Sequence, residues 1–277
     1  MKIGMNLWTI YGWELPEQLS EQVLAAIAAM EVEAVELVVD ESLNGVEDLL
    51  TREREIKALL ARHYLSVPSI ASALFLRYNL GWQDDAVRSH GVSIIQGMCR
   101  VAATYGARAV LVVAGQQEPD TPYKLTWDNA VRSVRVAART AEEIGVLIGV
   151  ENAGTSFLHT PGEMASFITA VDHPNVGSYL DLGNSMYGSS GYPENWCTTL
   201  AGNIHAVHAK DHDPKRGGYT YCGEGDLRWA EVLPVLRACG YDRELIVETP
   251  SKEASGIEAG LDAARRSVSG LRRFLSQ

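Results

Sequence analysis

Four short β-branched runs in the second half of the chain each end in a side chain that can bind a metal or move a proton. The first ends Val150-Glu151-Asn152 and the second Tyr179-Leu180-Asp181-Leu182-Gly183-Asn184. The third ends His205-Ala206-Val207-His208-Ala209-Lys210-Asp211 and the fourth Val247-Glu248-Thr249-Pro250. A single acid at a strand end is commonly a helix cap or a loop tie, and a single histidine beside an apolar run is commonly a packed ring. The same kind of group at the same point of four successive runs means more, because adjacent parallel strands bring their ends to one rim. Three carboxylates meeting there would raise one another's pKa and could not all stay ionised without a compensating cation. A divalent metal held by Glu151, Asp181, His208 and Glu248 removes that conflict. Three carboxylate oxygens and one imidazole nitrogen, with positions left for substrate oxygens, suit Mn²⁺ first and Co²⁺ or Mg²⁺ next, better than a closed thiolate zinc site.

Such a cluster needs strands to carry it, and eight β-branched runs alternate with stretches of helical periodicity along the chain. They cover approximately residues 2–8, 34–39, 66–71, 109–114, 147–152, 177–181, 206–210 and 245–249. Alternating strands and helices specify a parallel sheet, and eight strands close one. The expected fold is therefore a single (β/α)8 TIM barrel spanning 1–277. Its helices carry their own marks. Pro16 suits a first turn, with Leu19, Val23, Ile27 and Met30 falling on one face. Thr160-Pro161-Gly162-Glu163 reads as a capping box, and Asp226 as the cap of a helix from Leu227 to Cys239 that Gly240 ends. Residues 188–201 are the least regular part and are expected to form a long loop with at most a short helix.

A chain of 277 residues with 46% hydrophobic content can bury one large core. Its formal net charge of −11 opposes both nucleic acid and anionic membranes, and no basic patch offsets it. The opening Met1-Lys2-Ile3-Gly4-Met5 has no targeting pattern, and no run approaches a membrane span. The expectation is a soluble, cytoplasmic protein with no nucleic-acid or membrane partner. Cys99, Cys197, Cys222 and Cys239 are scattered and read as free structural thiols.

The motifs also carry a resemblance over nearly the whole chain. Val35-Glu36-Leu37-Val38-Val39-Asp40-Glu41, Val67-Pro68-Ser69, Asp181-Leu182-Gly183-Asn184, and His208-x-Lys210-Asp211 followed by Gly223-Glu224-Gly225 resemble the sugar-phosphate isomerase/epimerase superfamily of barrels. That group includes xylose isomerase, tagatose 3-epimerase and endonuclease IV. Within it the chain is most similar to the epimerases of L-ribulose or L-xylulose 5-phosphate. Free-ketose epimerases of the superfamily have a histidine where this chain has Asn184, which points to the pentulose-phosphate branch. The third-strand loop, Ser72-Ala73-Leu74-Phe75-Leu76-Arg77-Tyr78, is less basic than that branch implies. The resemblance implies a homodimer or homotetramer, the four metal ligands already named, and Glu151 and Glu248 as the acid/base pair.

The chemistry then expected is isomerisation or epimerisation of a small keto-sugar, free or phosphorylated. A metal chelating the carbonyl and its neighbouring hydroxyl stabilises an enediolate, while Glu151 and Glu248 move a proton between opposite faces of the carbon. A lyase resembling inosose dehydratase, or a deglycosidase subunit, would use the same groups to expel a β-substituent. A trinuclear nuclease would need more strand-end histidines than the chain has, and a non-catalytic binding protein would simply hold the metal. Asn6, Trp8, Glu36, Asn184, Lys210, Asp211 and Arg216 are the expected substrate contacts. Asn152 and Asn184 are expected to orient ligands, Glu224 to fix a loop, and Trp8, Trp13, Phe75 and Tyr78 to form an apolar wall. His159, His205 and His212 are read as structural or surface residues.

Overall fold

Eight parallel strands close on themselves in chain order in the computed structural model, which describes residues 1–12, 19–41, 45–187, 191–216, 218–251 and 255–275. The strands are β1 (Lys2–Asn6), β2 (Ala34–Val38), β3 (Ser69–Ala71), β4 (Ala109–Val112), β5 (Leu147–Glu151), β6 (Val176–Asp181) and β7 (Ile204–Ala209). A two-stranded antiparallel hairpin, β8 (Asp211–Asp213) and β9 (Gly218–Thr220), follows β7. The last barrel strand, β10 (Glu244–Val247), pairs back onto β1 and completes the ring. All eight expected runs therefore enter the barrel, although Trp8, expected to end the first, starts a one-turn helix, Trp8–Tyr11.

Strands covered by helices outside and packed side chains inside have two buried faces, which is why β2 is buried at every position. The outer ring includes helices Asp85–Tyr105, Tyr123–Ile144 and Ile257–Leu275. The capping box forms as read: Glu163 N donates to Thr160 Oγ1 at 3.2 Å and Thr160 N donates to Glu163 Oε2 at 3.1 Å. Among its described residues, the irregular segment holds one short helix, Pro193–Thr199. The four cysteines are free thiols, and burial pushes those of Cys99 and Cys197 up to about 12. No helix among the described residues is long and apolar enough to cross a membrane.

Two helix starts differ from the sequence reading. The first long helix runs Glu21–Ala29 and is capped by Ser20, whose Oγ accepts from Val23 N at 3.1 Å. Leu19 thus precedes the helix, and Pro16 lies outside the described residues. The other helix runs Trp229–Ala238 with no side-chain cap from Asp226. The carboxylate taking donors there belongs to Asp211, which accepts from Leu227 N at 2.9 Å and from Trp229 Nε1 at 2.8 Å. Gly240 does end that segment, in a backbone conformation (φ 91°) that costs glycine little.

One irregularity of the barrel bears on the rim. Ser178 faces Ile204 across the β6–β7 ladder, but Tyr179 faces Ala206, so β7 carries one extra residue, His205. A bulge of this kind shifts every later pairing by one position. Its result is that Asp181 stands opposite His208. Without it Asp181 would pair with Val207.

Candidate metal centre and cavity

Glu151 ends β5, Asp181 ends β6, His208 is on β7 and Glu248 follows β10, so neighbouring strands deliver all four to one side of the mouth. Each offers one ligand atom, and these four atoms lie within 4.8 Å of one another. Two ligands bound at ~2.1 Å to a single ion are at most ~4.2 Å apart, so the most separated pair would have to close by at least roughly half an ångström around one cation. The donor set is hard, with three carboxylate oxygens and one imidazole nitrogen, and suits a divalent ion.

The electrostatics point the same way. Burial pushes the Glu151 carboxyl up, with Glu248 and Asp181 adding to the rise against a hydrogen bond from His208. Burial likewise holds Asp181 above the usual carboxylate range, with Glu248 reinforcing it and Lys210 opposing it. Lys210 Nζ sits between two of the acids, 2.6 Å from Asp181 Oδ2 and 2.7 Å from Glu248 Oε2. Burial works against its charge, but the Asp181 and Glu248 carboxylates outweigh that and keep its pKa well above the ordinary lysine value. Burial also works against a charge on His208, but Glu36 and Glu248 outweigh it and hold its pKa well above the ordinary value. Two cations thus face the three cluster carboxylates, and the negative charge that remains is what a divalent ion would balance.

Behind His208 lies a fourth carboxylate, that of the fully buried Glu36. Glu36 Oε1 accepts from Ser69 Oγ at 2.6 Å and from Tyr179 OH at 2.5 Å. Its Oε2 accepts from Asn6 Nδ2 at 2.5 Å and lies 2.7 Å from His208 Nε2. Burial alone would raise the Glu36 pKa, yet His208, Ser69 and Tyr179 bring it below the ordinary value. The other imidazole nitrogen, Nδ1, faces Glu151 Oε1 at 3.1 Å and Glu248 Oε2 at 3.7 Å.

Above the cluster opens a cavity of about 300 Å³ whose lining includes Glu151, Glu248, Lys210, Asn184 and Trp8. Asp181 and His208 are fully buried below it. Much of the remaining lining is apolar, with Ala73, Leu76, Leu111, Val113, Ala153 and Pro250, and Ser72, Gln116, Thr155 and Tyr219 supply further polar points.

Several expected roles change with this geometry. Asn6 and Glu36 are fully buried and do not line the cavity, so neither has an exposed atom for a sugar hydroxyl. Asp211 is also fully buried, and its carboxylate is filled by four donors: the backbone N–H groups of His212, Gly223 and Leu227 and the Trp229 indole. It ties the hairpin to the following helix. Phe75 is core and Tyr78 donates its hydroxyl to Glu41, so of the four aromatics expected in the wall only Trp8 lines the cavity among the described residues. Trp13 and the Arg216 side chain lie outside the described residues. Asn152 clamps the backbone of Asp181 from both sides, donating to its carbonyl at 2.9 Å and accepting from its N–H at 2.8 Å. Asn184 donates its backbone N–H to Asp181 Oδ1 at 2.8 Å. Glu224 ties the Gly223–Gly225 turn to Arg266 of the last helix at 2.7 Å. His205 and His212 are packed within the structure, and His159 is exposed.

Gly183 permits the Lys210 arrangement, since a Cβ there would lie 2.6 Å from Lys210 Cγ and 3.0 Å from its carbonyl oxygen. Tyr179 and Ser69 are the contributors that strand-end reasoning passes over. A signal for Tyr179 exists, because it stands two residues before Asp181 and strand residues two apart share a face.

A closed barrel whose rim gathers three acids and a histidine defines a TIM barrel with a candidate metal centre at the C-terminal ends of its strands. The chain belongs to the family described as Xylose isomerase-like TIM barrel, which matches residues 24–274. It is 27% identical over 240 residues to the L-ribulose-5-phosphate 3-epimerase UlaE of Salmonella heidelberg (strain SL476), covering 83% of this chain and 82% of that protein. The corresponding epimerase of Escherichia coli O157:H7 is 26% identical over the same length. Among solved structures, the D-psicose 3-epimerase of Clostridium cellulolyticum H10 superposes with a TM-score of 0.81 at 16% identity, over 100% of this chain and 99% of that one. The IolI protein, solved with a zinc atom, has a TM-score of 0.78 at 17% identity over the full length of both chains. At such identities the structural likeness speaks for the fold.

Proposed function

We propose that this protein is a divalent-metal-dependent epimerase of a small keto-sugar, with Glu151, Asp181, His208 and Glu248 holding the ion and Glu151 and Glu248 moving the proton. The observation that carries the proposal is the division of labour within the cluster. Its four ligand atoms lie within 4.8 Å of one another, yet only Glu151 and Glu248 also line the cavity. Asp181 and His208 can act only on the ion, whereas the two glutamates can reach both the ion and a substrate.

A bound Mn²⁺, Co²⁺ or Mg²⁺ supplies the Lewis acidity that makes a carbon next to a carbonyl acidic. Glu151 and Glu248 approach from different strands. One carboxylate takes the proton from one face of that carbon while the other delivers a proton to the opposite face, which inverts the centre. Lys210 holds Glu248 in place and presents an ammonium to the developing negative charge on substrate oxygen. Trp8, Leu111, Val113 and Pro250 keep bulk water from the reacting carbon. The similarity to L-ribulose-5-phosphate 3-epimerases supports a ketose as substrate and its C3 as the reacting centre. Transfer of the proton between adjacent carbons would give aldose–ketose isomerisation by the same groups.

The test is incubation of metal-loaded protein with free and 5-phosphorylated ketoses in deuterated buffer. Label is expected at the carbon beside the carbonyl, with the C3 epimer accumulating. No label in any ketose with any of the three ions would overturn the proposal, and release of water or another β-substituent would redirect it to a lyase.

A further inference from the structure

We infer that Glu36 is the positioning residue of the metal centre: it fixes the His208 ring with hydrogen on Nε2, leaving the Nδ1 lone pair directed at the cation. This rests on the metal reading proposed above and deepens it.

The argument begins from cost. The interior of a barrel of this type is ordinarily filled by layers of branched apolar side chains. A carboxylate placed there is strongly destabilising unless every lone-pair region finds a donor. Glu36 is fully buried, and side chains from β1, β3, β6 and β7 converge on its two oxygens. Four other strands are thus committed to one acid that has no access to the cavity. An ionised carboxylate can only accept, so the His208 Nε2 at 2.7 Å must be the donor. With Nε2 held by Glu36, the nitrogen that can exchange its proton for an ion is Nδ1, which hydrogen-bonds Glu151 and lies beside Glu248. Tyr179 makes the arrangement rigid in two ways. Its hydroxyl donates to Glu36, and its ring packs against the His208 imidazole with centroids 4.5 Å apart.

A carboxylate behind a ligating imidazole both selects the tautomer and makes the ring a better donor, and loss of such a partner typically weakens metal binding by about 10- to 100-fold. Glu36→Gln is the informative change. Its amide can donate to Nε2 and so favour the wrong tautomer, with little change in volume.

The experiment is a Mn²⁺ titration of chelator-stripped wild type, Glu36→Gln and Tyr179→Phe, following free Mn²⁺ by electron paramagnetic resonance. Thermal unfolding of the metal-free proteins serves as the control for folding. Glu36→Gln is expected to raise the Kd by about 10- to 100-fold. Tyr179→Phe, which keeps the carboxylate, should raise it by a smaller factor. In ¹⁵N-histidine-labelled wild type loaded with Mg²⁺, His208 should show a protonated Nε2 and an unprotonated Nδ1. Wild type and Glu36→Gln binding within threefold of each other would overturn the inference, as would a protonated Nδ1 in the loaded wild type. The spectroscopic arm decides the question even where a variant fails to fold. A wild type that binds no ion at all would instead remove the proposed function and this inference with it.

Discussion

At the scale of single residues, the glutamates that touch both the cavity and the cluster should be separable from those that touch only one. Glu151→Gln and Glu248→Gln are each expected to slow solvent exchange at the substrate carbon by about 10²- to 10⁴-fold, measured by label uptake at saturating Mn²⁺. Saturating metal is essential, because both residues are also proposed ligands. Gly183→Ala should push Lys210 off Asp181 and Glu248, since the new methyl would meet Lys210 Cγ at 2.6 Å. A fall in kcat with a small change in Mn²⁺ affinity is the expected reading, and unchanged kinetics would show that Lys210 has no such part. The four cluster residues were legible because acids and a histidine recur at the ends of successive strands. Asn6, Glu36 and Asp211 were misread for a single reason. A sequence shows that a polar residue lies near a strand end but not its depth, and a shift of one residue separates the rim from the interior or the inside of the barrel from the outside.

Elements place those residues, and the bulge at His205 is the clearest case. The extra residue puts Asp181 opposite His208, and its own ring is packed with Nδ1 donating to the Ile148 carbonyl at 3.1 Å. Burial brings the His205 pKa down to about 4. An unfolded histidine titrates near ~6.5, so below that pH the unfolded chain binds a proton that the folded one refuses. Stability from this group is therefore complete above the unfolded pKa, is lost as the pH falls from ~6.5 towards 4, and changes no further below. The loss amounts to about 3 kcal/mol. His205→Gln should flatten that part of the stability profile in urea titrations between pH 7 and 4, and a profile parallel to wild type would refute it. Thr160→Ala removes a cap worth about 1 kcal/mol and should lower the Tm by about 2 °C. Strand runs and the Thr160 box were readable because periodicity and capping chemistry are local. The bulge was not, since it exists only as a mismatch between two strands 26 residues apart at its Ser178–Ile204 pairing. The same holds for the start of the Trp229–Ala238 helix, where a carboxylate from the hairpin replaces the expected local cap.

Across the whole molecule, closure of β10 onto β1 makes the mouth a continuous ring, so ion binding at one rim segment should stabilise the entire barrel. An ion that binds only the folded chain adds about 2.7 kcal/mol at 100 times its Kd, and chelation should lower the Tm by the matching amount. The distribution of parts between the two halves of the ring has a further consequence. Every proposed ligand comes from residues 151–248, as does Tyr179, whereas Asn6, Glu36 and Ser69, the rest of the support behind His208, come from the first three strands. Hybrids joining the front strands of one relative to the back strands of another would inherit an intact set of ligands above a mismatched foundation. Exchange of front halves is thus a route to changing how tightly, and in what orientation, the imidazole meets its ion without altering a single ligand. Compatibility in such chimaeras would be governed by the unseen acid in the interior more than by the visible chemistry at the rim.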